Sequence, residues 1–142
     1  MKNKRLIYIS IVLFIASLAM PSYIHAAEAS FPGIFCLFFG PFGLLFLHFT
    51  WLANPFLLMS WISALKKNYA GSIATAIVSL LIALTFPLYK DLPQGSSGIF
   101  PFKIQYGYYI WIASIGSMIV INIYLVFNQH NKKKSVEYEK NK

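Results

Sequence analysis

Hydrophobic positions in this chain come in long runs, and the polar positions fall between them. Leu6 to Met20 is apolar and follows the basic residues Lys2, Lys4 and Arg5; Pro21 ends it. Phe31 to Leu65 carries no charged side chain over 35 residues, and Lys66-Lys67 closes it. Tyr69 to Tyr89 is a further run with an aromatic residue at each end. The last, Tyr106 to Phe127, has Tyr106, Tyr108, Tyr109 and Trp111 crowded at its start. A helix rises ~1.5 Å per residue and the hydrocarbon core is ~30 Å thick, so about 20 apolar residues suffice to span it. The pattern predicts an all-α integral membrane protein with three transmembrane helices, at about 43–65, 69–89 and 106–127. To these is added an N-terminal signal peptide or fourth helix within 1–29.

That first segment supports both readings. A basic start, an apolar core of 15 residues and the Ala27-Glu28-Ala29 site together describe a secretory signal. Cleavage there predicts a new N-terminus at Ser30 or Ala27. The other reading is an uncut helix from Leu6 to about Tyr23 or Ile24, with Tyr23 at the interface.

Charge sets the orientation. Lys2, Lys4, Arg5, Lys66, Lys67, Lys132, Lys133, Lys134, Lys140 and Lys142 fall on one side of the predicted spans, against Lys90 and Lys103 on the other. Ten against two is a positive-inside bias that predicts a cytoplasmic C-terminus in a bacterial inner (plasma) membrane. The run 31–65 then crosses once. Residues 31–42, broken by Pro32, Gly33, Gly40 and Pro41, form an interfacial or shallow re-entrant piece on the outer side. Residues 90–105, with Gln94-Gly95-Ser96-Ser97-Gly98, form an external loop. Residues 129–142 form a cytoplasmic basic tail beyond the bundle of 30–128, disordered past its first few residues.

Composition agrees with the membrane class. Only 11% of the residues are charged, where a soluble domain has about 25%. The net charge of +8 does not imply nucleic acid, because the charges end apolar runs instead of forming a basic face. A single cysteine, Cys36, excludes an intrachain disulfide and a cysteine-based metal cluster.

Candidate chemistry is sparse. Ser72, Ala76, Ser79 and Ala83 share one helix face, and small faces let helices approach closely in lipid. Ala113 and Ser117, with Val120 and Tyr124 and with Gly116 beside them, form the stripe expected to match. The seam is read as packing within one monomer, with homo-oligomerisation as the other use. His48, Asn54 and Asn122 are the polar residues of the spans, candidates for interhelical hydrogen bonds or a ligand site. Asn54-Pro55 also predicts a kink, with the amide satisfying the backbone that the proline frees. His25 and His48 raise haem ligation, but no His/Met pairing is indicated by spacing, so neither cofactor nor metal is expected. The spans hold no Asp, Glu, Lys or Arg, and no catalytic motif is present, so no enzyme is expected.

The string Trp51-Leu52-Ala53-Asn54-Pro55, followed by Ser60-Trp61, Lys66-Lys67 and Gly107-Tyr108-Tyr109-Ile110-Trp111-Ile112-Ala113-Ser114, resembles a group of small uncharacterised bacterial inner-membrane proteins. The resemblance covers about Gly33 to Phe127 and implies a bacterial origin without an activity. The expected role is non-enzymatic. Its partners are the lipid bilayer and, through helix contacts, a second copy or another membrane protein. Two alternatives are an immunity-type protein against a pore-forming toxin and a small-molecule permeation or binding protein using His48, Asn54 and Asn122.

Overall fold

The first apolar run forms α1 (Lys2–Ala19), which ends two residues before Pro21. A proline disfavours helical geometry at the residue before it, so Met20 becomes the bend and β1 (Pro21–His25) follows. The computed structural model describes residues 2–25, 30–89, 91–93 and 99–140, so Ala27-Glu28-Ala29 and Gln94 to Gly98 lie outside the described residues. The remaining elements are β2 (Ser30–Pro32), α2 (Gly33–Gly43), α3 (Ala53–Leu65), α4 (Tyr69–Ala83), β3 (Asp91–Pro93), β4 (Ile99–Ile104) and α5 (Tyr106–Lys140). Two stretches, Tyr69–Leu88 and Tyr106–Asn131, are long and apolar enough to cross a membrane.

The chain is predominantly helical but not all-α. Four short strands form one sheet in the order β2-β1-β4-β3. β1 pairs antiparallel with β4, Tyr23 opposite Ile104 and Ile24 opposite Lys103. Half of the expected loop 90–105 is therefore strand, because β1 offers it an edge to pair with. The same pairing brings the C-terminal end of α1 to the start of α5. A Cβ added at Gly107 would lie 2.8 Å from the carbonyl oxygens of Met20 and Pro21, so only glycine admits this approach.

The expected single helix over 43–65 is two helical runs with a reversal between them. Leu47 is left-handed at φ 61°; its N–H donates to the Leu44 carbonyl at 3.2 Å, and that of His48 to Gly43 at 2.9 Å. These paired bonds are the Schellman stop. The same motif ends α3: Lys67 sits at φ 64°, with Lys67 N–H to Ala64 O at 3.0 Å and Asn68 N–H to Ser63 O at 2.9 Å. The Asn68 side chain then caps α4 by accepting from the Gly71 N–H at 3.1 Å. Pro55 falls in the first turn of α3, where no intrahelical donor is required, so it begins the helix instead of kinking it. The expected disordered tail is also corrected. From Ser117 onward the sequence has neither Gly nor Pro, and α5 continues to Lys140.

α1 packs on α5, α5 on α4 and α4 on α3, around Ile7, Leu57, Ala76, Ile115, Met118 and Leu125. Two serine clasps fasten this arrangement. Ser10 Oγ donates to the Ser114 carbonyl at 2.9 Å while Ser114 Oγ donates back to the Ser10 carbonyl at 2.8 Å. Ser60 and Ser72 repeat the exchange between α3 and α4, at 2.9 and 2.7 Å. Trp61 Nε1 reaches Ser10 Oγ at 3.0 Å, tying α3 to α1. The sheet lies at one end of the bundle and Lys66-Lys67 at the other.

Candidate functional site

At the sheet end the helices part and leave a chamber of about 460 Å³. Its walls are Phe14 and Leu18 of α1, Tyr23 and Phe31 of the sheet, Phe35, Cys36 and Phe39 of α2, and Phe86, Tyr108 and Trp111. His48, Thr50, Trp51 and Asn54 also line it, as do Ser17 and Ser22. The aromatic rings form a connected series: Tyr23 stacks on Phe31 at 5.1 Å, Phe86 lies 5.0 Å from Phe102 and 5.5 Å from Tyr108, and Tyr108 lies 6.0 Å from Trp111.

Local sequence explains how the chamber is held open. Pro41 has no N–H, so the Leu37 carbonyl one turn earlier lacks its helical donor; Trp51 Nε1 supplies one at 2.8 Å. This bond pins α2 over the start of α3. A Cβ at Gly40 would collide with the Trp51 ring, so the helix can lie this close only with glycine there.

Most polar groups of the wall are engaged. Trp111 Nε1 donates to Asn54 Oδ1 at 3.1 Å, Thr50 Oγ1 meets Thr85 Oγ1 at 3.2 Å, and Ser17 Oγ donates to the Phe14 carbonyl at 2.6 Å. Among the described residues, none that lines it is Asp, Glu, Lys or Arg. Burial pushes the Cys36 thiol up, against the smaller pull of a hydrogen bond with Ser22, so it stays protonated and poorly nucleophilic at neutral pH. Burial likewise pushes the Tyr23 phenol up to about 12. No group of three His, Cys, Asp or Glu able to hold a metal ion is found among the described residues.

The sequence-derived residues divide. Ser72, Ala76, Ser79 and Ala83 are all fully buried: Ser79 Oγ donates to the Ala53 carbonyl at 2.7 Å and Tyr108 Oη to the Ala83 carbonyl at 3.2 Å. The matching stripe on α5 is displaced by one position. Ala113, Val120 and Tyr124 are exposed and Ser117 is half-buried, whereas Ser114, Ile115, Met118, Ile121, Asn122 and Leu125 face inward. Asn54 and His48 reach the chamber, but Asn122 does not. Its Nδ2 donates to Ser72 Oγ at 2.8 Å and to the Met118 carbonyl at 2.7 Å, and its buried Oδ1 has no partner among the described residues. The Asn54 amide binds the Trp111 indole, not the backbone freed by Pro55. The side chain of His25 lies outside the described residues. The Trp51–Leu37 bond and both serine clasps were not anticipated. Pro41 was the available signal for the first; isolated serines in apolar runs were the only signal for the second.

No protein-family model, curated protein or solved structure matches the chain.

Proposed function

We propose that this is a small, non-enzymatic, multi-pass protein of the bacterial inner membrane that binds an uncharged hydrophobic molecule in the chamber. In this reading α1 is retained as a fourth crossing helix, and α3, α4 and α5 supply the other three. The sheet lies on the outer side with α2 at the outer interface, and the C-terminus is cytoplasmic. Exposed Phe35, Phe38, Phe39 and Phe42 on α2 give that helix a face for lipid, and Lys66 and Lys67 lie at the end opposite the sheet, as a positive-inside arrangement requires. Retention of α1 is supported by its clasp, since removing α1 would strand the Ser114 hydroxyl and the Trp61 indole in the bundle.

The observation that carries the binding reading is the uncharged aromatic chamber beside His48 and Asn54. The helical run Phe49–Leu65 has 17 residues, about 25 Å of rise, so it ends short of the sheet-side surface and the space beyond it is what α2 and the chamber occupy. The small-residue seam supports partner contacts less well, because α3 and α5 already occupy it within the monomer. The test is collisional quenching of Trp51 and Trp111 by a brominated long-chain alcohol in detergent. Saturable quenching, relieved by Cys36→Phe, is expected. Quenching that rises without saturation and is equal in both proteins would overturn the binding reading.

A further inference from the structure

We infer that the chamber selects a lipid-soluble carbonyl compound of the quinone class, whose carbonyl oxygen accepts a hydrogen bond from Asn54 Nδ2; this rests on the binding reading above. The argument starts from the orientation of the Asn54 amide. An indole N–H can only donate, so the 3.1 Å contact from Trp111 Nε1 fixes Oδ1 as the atom facing it. Nδ2 is thereby turned away from Trp111, and among the described residues it has no partner. Several other donors of the wall are committed: Trp51 Nε1 to Leu37, Ser17 to Phe14, and Tyr108 to Ala83, while the Tyr23 and Ser22 hydroxyls of the sheet side stay available as further donors. The hydroxyl of Thr50 is paired with that of Thr85, whose own proton goes to the Ile82 carbonyl at 2.7 Å. Only the His48 imidazole, 4.3 Å from the Tyr89 ring, remains without a hydrogen bond among the described side chains of the wall that carry an N–H donor.

Complementarity then defines the ligand. A charged group would lose its hydration here without meeting an opposite charge, so the buried part of the ligand is neutral. An unengaged amide N–H calls for an acceptor, and leaving it unmatched on binding costs affinity. Rings of Phe14, Trp51, Tyr108 and Trp111 stack best on a flat conjugated body. A volume of about 460 Å³ lies within the ~300–1,000 Å³ of small-molecule sites and accommodates a ring with the first part of a tail. An uncharged, flat, apolar carbonyl compound meets all four conditions.

The experiment is calorimetric titration of the full chain in micelles of fixed composition, with partition heats subtracted. Three probes carry the same decyl tail: a decyl-substituted benzoquinone, decyl acetate and decane. The quinone is expected to bind about two- to tenfold more tightly than decane, the range of one retained hydrogen bond. Asn54→Leu is expected to remove that advantage while decane binding stays, which also reports that the variant is folded. Equal affinity of quinone and decane in the unaltered protein would overturn the inference, as would decyl acetate binding as tightly as the quinone. Failure of all three probes to saturate would instead overturn the binding reading beneath it.

Discussion

Trp51 donates its indole N–H to the carbonyl of Leu37, the one backbone acceptor that Pro41 leaves without a helical donor. The two anomalies cancel, and they should be coupled in stability. Trp51→Phe is expected to cost about 0.5–1.5 kcal/mol for the lost hydrogen bond. In a Pro41→Ala background the restored N–H re-pairs Leu37 within α2, so the same substitution should cost less. Thermal unfolding of the four proteins in detergent measures the difference; additive effects would mean the bond contributes nothing.

The Ser10–Ser114 clasp makes a statement about processing. Membrane-purified protein should retain Leu6 to Ala19 by mass spectrometry, and Ser114→Ala should lower stability by about 0.6 and at most ~1.7 kcal/mol, the range for interhelical bonds in lipid. A mature N-terminus at Ser30 or Ala27 would rule out the fourth helix.

Topology is tested by reporter fusions. Those after Lys67 and after Asn131 should read as cytoplasmic, and one between Gln94 and Gly98 as external. An external readout after Lys67 would contradict a single crossing by the run Phe49–Leu65.

Ala76 is fully buried between α4 and its neighbours, while Ile77 and Leu81 are 43% and 62% exposed. Ala76→Leu should therefore cost about 1–3 kcal/mol by overpacking. Ile77→Phe and Leu81→Phe should stay within about 0.5 kcal/mol. The folded fraction resistant to detergent at equal expression distinguishes them, and equal tolerance at 76 and 77 would dismiss the seam.

Lys67 holds a left-handed backbone that glycine adopts without strain. Lys67→Gly is expected to raise stability by roughly 0.5–1 kcal/mol, because the left-handed penalty exceeds the added freedom of the unfolded chain. A drop in the unfolding midpoint would count against this account of the α3–α4 turn.

Some of this was legible in the chain and some was not, for physical reasons. The runs 69–89 and 106–127 could be read because uninterrupted apolar length has one economical explanation. So could the inward face of α4, because Ser72, Ala76, Ser79 and Ala83 keep helical spacing. On α5 the choice between the Ala113 face and the Ser114 face is a rotation of about 100°, and nearly every position there is apolar or small, so the pattern could not fix it. The stop at Leu47 was hidden because its Schellman motif lacks the glycine that advertises such stops. The sheet was hidden too: β1 and β4 are short, contain proline, and meet across most of the chain. Asn54 was visible as a polar residue, but the aromatic chamber around it exists only once α2 folds back; Pro32, Gly33, Gly40 and Pro41 marked 31–42 as interrupted without saying which element it would pack on.

The clasp between Ser10 and Ser114 also sets an order of events in synthesis. α1 leaves the ribosome well before its mate α5, whose Ser114 comes more than a hundred positions after Ser10, and β1 likewise waits for β4. The α3–α4 hairpin, held by Ser60 and Ser72 only twelve positions apart, can close on its own long before. Early contacts are thus local and the final one is global. A chain halted before Ser114 would hold a closed α3–α4 hairpin and an α1 still without its main packing partner.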